Sequence, residues 1–209
     1  MTEREWLTST DPQPMLEFTQ DRASDRKLRL FSCGCCRRIW HLVEEERSRN
    51  AVELAERFAD GRASVEDLPD REKQLEKWFE VRRGVSGGQA TMDDLPDLWP
   101  DRMVRNCSTR AEWAKSKTDE GVRYAAAGAL GTRPGNLSHI DAWQVAQSAA
   151  GAVAWNTVGY ARKSSEAAAW ASAWNAAESG EFREQAALLR DIFGNPFATR
   201  AADRVLAEP

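Results

Sequence analysis

The sequence predicts an all-α protein, a multi-helix bundle of about seven to nine helices. Three observations predict it. Apolar residues recur at spacings of three and four along most of the chain, which places them on one face of a helix. Seven of the eight prolines, from Pro12 to Pro196, sit where helical patterns start or stop. No stretch alternates apolar and polar residues with period two, and no Asn-Gly or Asp-Gly turn joins two β-branched runs.

The elements follow in order. Thr2 is placed to cap a short helix over 3–8, and Asp11-Pro12 opens a second carrying Met15, Leu16 and Phe18. Ser24 caps a long helix running to about Glu46. Leu28, Phe31, Cys35, Ile39 and Leu42 form its stripe, with Cys36, Trp40 and Val43 beside it. Val52, Ala55 and Ala59 mark the next helix, which Gly61 stops. Ser64 and Pro69 open another with Leu68, Leu75, Trp78 and Phe79, ending at Gly84.

Residues 123–177 then hold eighteen alanines, against five in residues 1–84. Trp143, Trp155, Trp170 and Trp174 punctuate this stretch. Ser138 with Asp141 reads as a capping box opening a helix to about Arg162. Ser164 or Ser165 restarts the pattern, with Ala167, Trp170, Ala171 and Trp174 expected inward. A separate last helix is expected over 181–193, with Phe182, Ala186, Leu189 and Phe193 inward and Gly194-Asn195-Pro196 as its stop. A tail helix through Leu206 completes the reading. The chain is read as one helical domain, 1–209, or as two packed halves, 1–84 and 101–209, joined by a loop at 85–100.

The composition is that of an ordinary globular chain: 209 residues, 42% hydrophobic, 30% charged, formal net charge -4. A chain of this length can bury one sizeable core or two small ones. The acidic balance argues against non-specific nucleic-acid binding, which depends on excess Lys and Arg. Arg37-Arg38 and Arg82-Arg83 are isolated doublets near acids and read as solvated faces. Residues 142–161 form twenty positions without charge, long enough to span a membrane. They contain no Leu, Ile or Phe and carry Gln144, Gln147 and Asn156, so a central helix of a bundle is the simpler expectation, with no membrane partner. Met1–Trp6 holds no apolar run behind a basic start, and three of the four cysteines crowd into one segment. Reduced thiols and a cytoplasmic location are therefore expected.

Several segments form a pattern. Glu5-Trp6-Leu7 with Asp11-Pro12, then Ala23-Ser24-Asp25-Arg26-Lys27-Leu28-Arg29-Leu30-Phe31, Cys35-Cys36-Arg37-Arg38-Ile39-Trp40-His41-Leu42 and Ala55-Glu56-Arg57-Phe58-Ala59-Asp60-Gly61, resemble the opening of an uncharacterised bacterial all-helical family. The segment Gln185-Ala186-Ala187-Leu188-Leu189-Arg190-Asp191-Ile192-Phe193-Gly194-Asn195-Pro196-Phe197 resembles a second hallmark of the same proteins. Together these segments cover about a fifth of the chain. The resemblance implies an all-helical fold and no catalytic residues, because no activity is established for that group. Relatives often continue past the Asn-Pro-Phe segment into a further helical region, whereas a dozen residues follow it here.

Candidate chemistry is sparse. Cys33 and Cys36 have C-x-x-C spacing and, with Cys107 or His139, could supply metal ligands. The usual second close-spaced ligand pair is missing, and no strand precedes the motif as in redox proteins. Packing as small hydrophobes is preferred. His41 and His139 have no fixed Ser or Asp partner in sequence, so no catalytic residues are assigned. Glu44-Glu45-Glu46 and Asp93-Asp94 read as solvated surface, and Gly131–Asn136 as a turn rather than a phosphate loop. Trp143, Trp155, Trp170 and Trp174 are candidates for lining a ligand pocket, with dry helix packing the preferred alternative. The expected function is therefore a non-catalytic helical interaction or scaffold module, with a protein partner or self-association and no cofactor. The alternative is a small-molecule- or metal-binding bundle with a Trp-lined pocket and Cys ligands.

Overall fold

The computed structural model describes residues 1–68, 110–130, 137–159 and 167–198. Seven α-helices are present among them, and no strand. The expected helix over 70–84, the linker at 85–100, the Gly131–Asn136 turn, the Ser164/Ser165 restart and the tail helix lie outside the described residues.

Helix α1 (Glu3–Thr8) starts at Thr2, whose side chain accepts from Glu5 N while the Glu5 carboxylate accepts from Thr2 N. This reciprocal pair satisfies two otherwise orphaned donors. Helix α2 (Pro12–Thr19) starts at Asp11, which caps Gln13 N. Helix α3 (Asp25–Arg38) starts at Ser24, which accepts from Lys27 N. It buries Leu28, Phe31, Cys35 and Cys36 as the apolar stripe requires, and Cys33 with them.

The expected run of α3 to Glu46 does not hold. The helix ends at Ile39, with φ -97° and ψ 17°, and a 3-10 turn (Trp40–Leu42) follows before α4 (Glu46–Ala59). Arg49 stabilises the redirected chain by donating from Nε to the Val43 carbonyl, at 2.7 Å. Ile39 and Val43 stay buried, so the stripe continues across the break while the backbone turns. Helix α4 buries Val52, Ala55 and Ala59 and closes at Gly61, whose φ of 69° is costly for any side-chain-bearing residue.

Helix α5 (Arg110–Leu130) and helix α6 (His139–Val158) pack against each other. Their closest approach is glycine-dependent. A Cβ on Gly121 would lie 2.8 Å from the Ser148 carbonyl oxygen, and one on Gly128 would lie 2.5 Å from Val145 Cγ2. The expected Ser138–Asp141 capping box opens α6. Its buried face is Ala142, Val145, Ala146, Ala149 and Ala152, with Ala150 and Ala154 buried alongside. Burial around so much of its circumference makes α6 the central helix, lying against α2, α5, α7 and α3. The helix stops at Gly159, at φ 63°.

Helix α7 is continuous from Ala167 to Phe193, so the separate helix expected over 181–193 merges with the Ala/Trp helix before it. Gly180 lies inside it at φ below zero. A helical glycine costs about 1 kcal/mol relative to alanine, too little to break a helix pinned at both halves. Gly194 ends α7 as expected, with φ 69°. The expected inner face needs correction. Trp170 and Trp174 are half-buried, Ala167 and Ala171 are exposed, and Glu181, Gln185, Ala186 and Leu189 form the buried stripe of the second half.

No helix among the described residues is long and apolar enough to cross a membrane. The two ends of the described chain meet. Trp6 Nε1 donates to the Gly194 carbonyl at 3.0 Å, and Arg190 Nη1 donates to the Ser9 carbonyl at 2.8 Å.

Candidate functional site

The four candidate tryptophans divide into two groups. Trp155, near the end of α6, meets Trp170 and Trp174 on α7 at ring-centroid distances of 5.8 and 4.7 Å, and Trp170 lies 5.2 Å from Trp174. The Trp155–Trp174 pair is edge-to-face, at 75°. Such geometry sets the positive ring edge against the negative face. Trp170 Nε1 donates to the Gly159 carbonyl at 2.8 Å, which supplies the partner its N–H requires and ties α7 to the end of α6. A planar ligand between two rings needs them about 7 Å apart, so within the trio each indole occupies the space a guest would take. Trp143 is separate and packs on Phe182 at 5.3 Å.

The thiol candidates lie in the interior. Cys33, Cys35 and Cys36 are free and buried on α3. Burial pushes the Cys33 thiol up to about 12, with the nearby Glu56 carboxylate adding to it. Burial likewise holds Cys35 and Cys36 well above the usual thiol range. A thiolate, the form that binds metal or attacks, is therefore disfavoured at all three. Cys33 Sγ lies 4.0 Å from the Val52 carbonyl, a weak donor contact. His139 is the first residue of α6 and half-buried, while His41 is exposed on the 3-10 turn. Cys107 lies outside the described residues. Among the described residues no three His, Cys, Asp or Glu side chains converge on a metal position.

The Arg37-Arg38 doublet pairs with carboxylates of other helices. Arg37 makes a two-pronged contact with Glu56 at 2.7 and 2.6 Å and lies 3.9 Å over the Trp40 ring. Arg38 grips Glu181 at 2.7 and 3.1 Å and reaches Glu184 at 3.4 Å. Gln185 extends this chain inward. Its Nε2 donates to the Ala146 carbonyl of α6 at 3.1 Å, and its Oε1 is buried with no hydrogen-bond partner among the described residues. A helix-face reading could assign these arginines to a surface but could not name Glu56, 19 positions from Arg37, or the partners of Arg38 roughly 140 positions away.

Two features had no sequence signal. Arg29 is fully buried and holds α3 to the end of α5. A cavity of about 270 Å³ opens between the start of α4 and α5, with Glu45, Ser48, Asp119 and Arg123 among its lining residues. Arg123 Nε pairs with Glu45 across it at 2.9 Å.

Comparison with known proteins returns no matching family model, no matching curated protein and no matching solved structure.

Proposed function

We propose that this chain is a non-catalytic helical interaction module whose working face is the first half of α7. The observation that carries this reading is the contrast between the two halves of that helix. Residues 167–177 contain no charged side chain, and eight of the eleven are exposed: six alanines, Ser172 and Asn175. Only Trp170, Trp174 and Ala177, spaced by four and three, are drawn inward. An isolated helix of this length is marginal in water, so the trio with Trp155 is what holds these turns in place. About 16 Å of helix with short side chains is thus presented on a rigid base. Small side chains let a second helix axis approach closely, and a face without charge imposes no desolvation of ions on the partner. The partner chemistry it fits is an uncharged helix face, on another protein or on a second copy.

Sedimentation velocity over a hundredfold concentration range, with affinity capture using the whole chain as bait, tests this. Self-association, or a discrete partner that competes for the 167–177 face, supports the module. A monomer that captures nothing but turns over a substrate in a broad hydrolase screen contradicts it.

The alternative, a ligand- or metal-binding bundle, would use Trp155, Trp170 and Trp174 or Cys33 and Cys36. A thermal-shift panel of metals and flat apolar compounds separates the two, because a ligand bound by the folded state raises its stability by mass action.

A further inference from the structure

Helix α1 is attached in an unusual way. It has six residues, too few to stay helical alone in water. Trp6 is its one buried side chain, while Glu3, Arg4, Glu5, Leu7 and Thr8 are exposed. A groove of about 580 Å³ separates Glu5 and Thr8 of α1 from Glu17 and Phe18 of α2, so the two helices do not close face to face.

The polar anchors of α1 among the described residues come instead from the far end of the chain. Trp6 Nε1 donates to the Gly194 carbonyl at 3.0 Å, Arg190 Nη1 to the Ser9 carbonyl at 2.8 Å, and Asn195 Nδ2 to Glu3 Oε1 at 2.6 Å. The turn that supplies them leans on the N-terminal segment in return. Asn195 Oδ1 accepts from Phe197 N at 3.0 Å. Phe197 stacks on Phe18 at 5.2 Å, and Phe18 lies 6.2 Å from the Trp6 ring. Asn195 thus uses both ends of one amide: the oxygen shapes its own turn and the nitrogen holds α1.

We propose that α1 and residues 194–198 form one latch, which opens as a unit while the rest of the bundle stays folded. Packing sets its boundary. Helix α2 lies against α6 and α7, and α7 is buried up to Leu189, so neither is released. Segments that bury little and are joined by few bonds open at the low end of a protein's stability range. The two halves hold each other, so their coupling is reciprocal: whatever grips Asn195 and Phe197 releases α1, and whatever grips α1 releases the turn. Opening uncovers Trp6 and parts Phe18 from both ring neighbours. The latch lies at the opposite end of α7 from residues 167–177 and is independent of the role assigned to them.

Native-state hydrogen exchange of the whole chain, followed by NMR, tests this. The reporters are the Trp6 indole N–H and the amides of Ser9, Phe197 and Ala198, with amides of α3 and α6 as reference. In the parent the four reporters should share one opening equilibrium, at least a hundredfold more open than the reference. Trp6→Phe should speed exchange at Phe197 and Ala198 about fivefold, the worth of one hydrogen bond. Asn195→Asp keeps the acceptor for Phe197 N but sets a carboxylate against Glu3, and should speed the Trp6 indole and Ser9 at least tenfold. Adding Glu3→Gln to Asn195→Asp restores the bond with its polarity reversed and should return these rates to the parent's. Reference amides should be unchanged in every variant. The latch is overturned if the reporters exchange only together with the reference amides, or if a variant speeds the reference equally. It is also overturned if Trp6→Phe leaves Phe197 and Ala198 untouched, which is fraying of α1 alone, or if Glu3→Gln gives no rescue.

Discussion

Arg29 is buried to 0% exposure yet reaches outward to Asp25, one turn earlier on α3, with Nη2 3.3 Å from Oδ2. The same guanidinium donates through Nη1 to the carbonyls of Ala129 and Leu130, the last residues of α5. Asp25 in turn accepts from the Leu137 backbone N–H, just before α6. One ion pair therefore clasps the start of α3, the end of α5 and the start of α6. The Arg29 guanidinium also lies 4.8 Å from the Phe58 ring centre, which brings α4 into the same contact.

Arg29→Ala should be the most destabilising polar change in the molecule. It leaves two helix-end carbonyls and a partly buried carboxylate without their donor, a loss of about 3–5 kcal/mol by the usual cost of breaking a buried pair. Arg29→Met keeps most of the packing and should cost less. Urea unfolding followed by circular dichroism measures both, and equal midpoints for Arg29→Ala and the parent would contradict the clasp.

The thiols should be silent in the folded state. Cys33, Cys35 and Cys36 are buried and held protonated, so an aromatic disulfide reagent should titrate none of them at pH 8 until denaturant is added. Their raised values also fix a pH dependence. The unfolded chain loses these protons near pH 9, while the folded chain keeps the Cys33 proton to about 12. Stability from this source is intact below pH 9 and falls as pH rises through 9 to 12, because the unfolded state binds fewer protons there. A flat stability curve across that window would contradict their burial.

Glycine should be required at one helix crossing and dispensable at another. A Cβ on Gly121 meets the backbone oxygen of Ser148 at 2.8 Å, which cannot move without shifting α6. A Cβ on Gly34 meets only the end of the Leu188 side chain, at 2.6 Å. Both changes gain about 1 kcal/mol of helix propensity. Gly121→Ala should still lose about 1–3 kcal/mol net through overpacking, whereas Gly34→Ala should be near neutral. Thermal unfolding of the pair decides it, and the reverse order would refute the α5–α6 contact.

Trp170→Phe removes the donor to the Gly159 carbonyl while keeping a ring in the trio, and should cost about 1 kcal/mol. Trp174→Ala removes the edge-to-face partner of Trp155 and should cost more, with loss of near-ultraviolet ellipticity from coupled indoles. A near-ultraviolet spectrum unchanged in Trp174→Ala would show that the trio does not form.

The sequence was legible where information is local. Thr2, Asp11, Ser24 and Ser138 marked helix starts, and Gly61 and Gly194 marked stops, because capping chemistry involves residues within one turn. The break at Ile39 was hidden, since no Gly or Pro stands there and the apolar stripe continues through Val43. The inward assignment of Ala167 and Ala171 failed because alanine carries no signal that separates a packed face from an open one. Periodicity placed Trp155, Trp170 and Trp174 on helix faces but could not say that these faces meet. Arg29 and Ser48 had no local signal, because their surroundings are built by segments distant in the chain.

The most direct test of the interaction module is quantitative capture with the parent chain beside Ala169→Glu, Ala173→Glu. These exposed positions are one turn apart on α7, away from Trp170 and Trp174. The expected result is a discrete partner, or a second copy, retained by the parent and lost at least tenfold in the variant, with melting temperatures equal. Identical capture by the two proteins would contradict the assignment of this face.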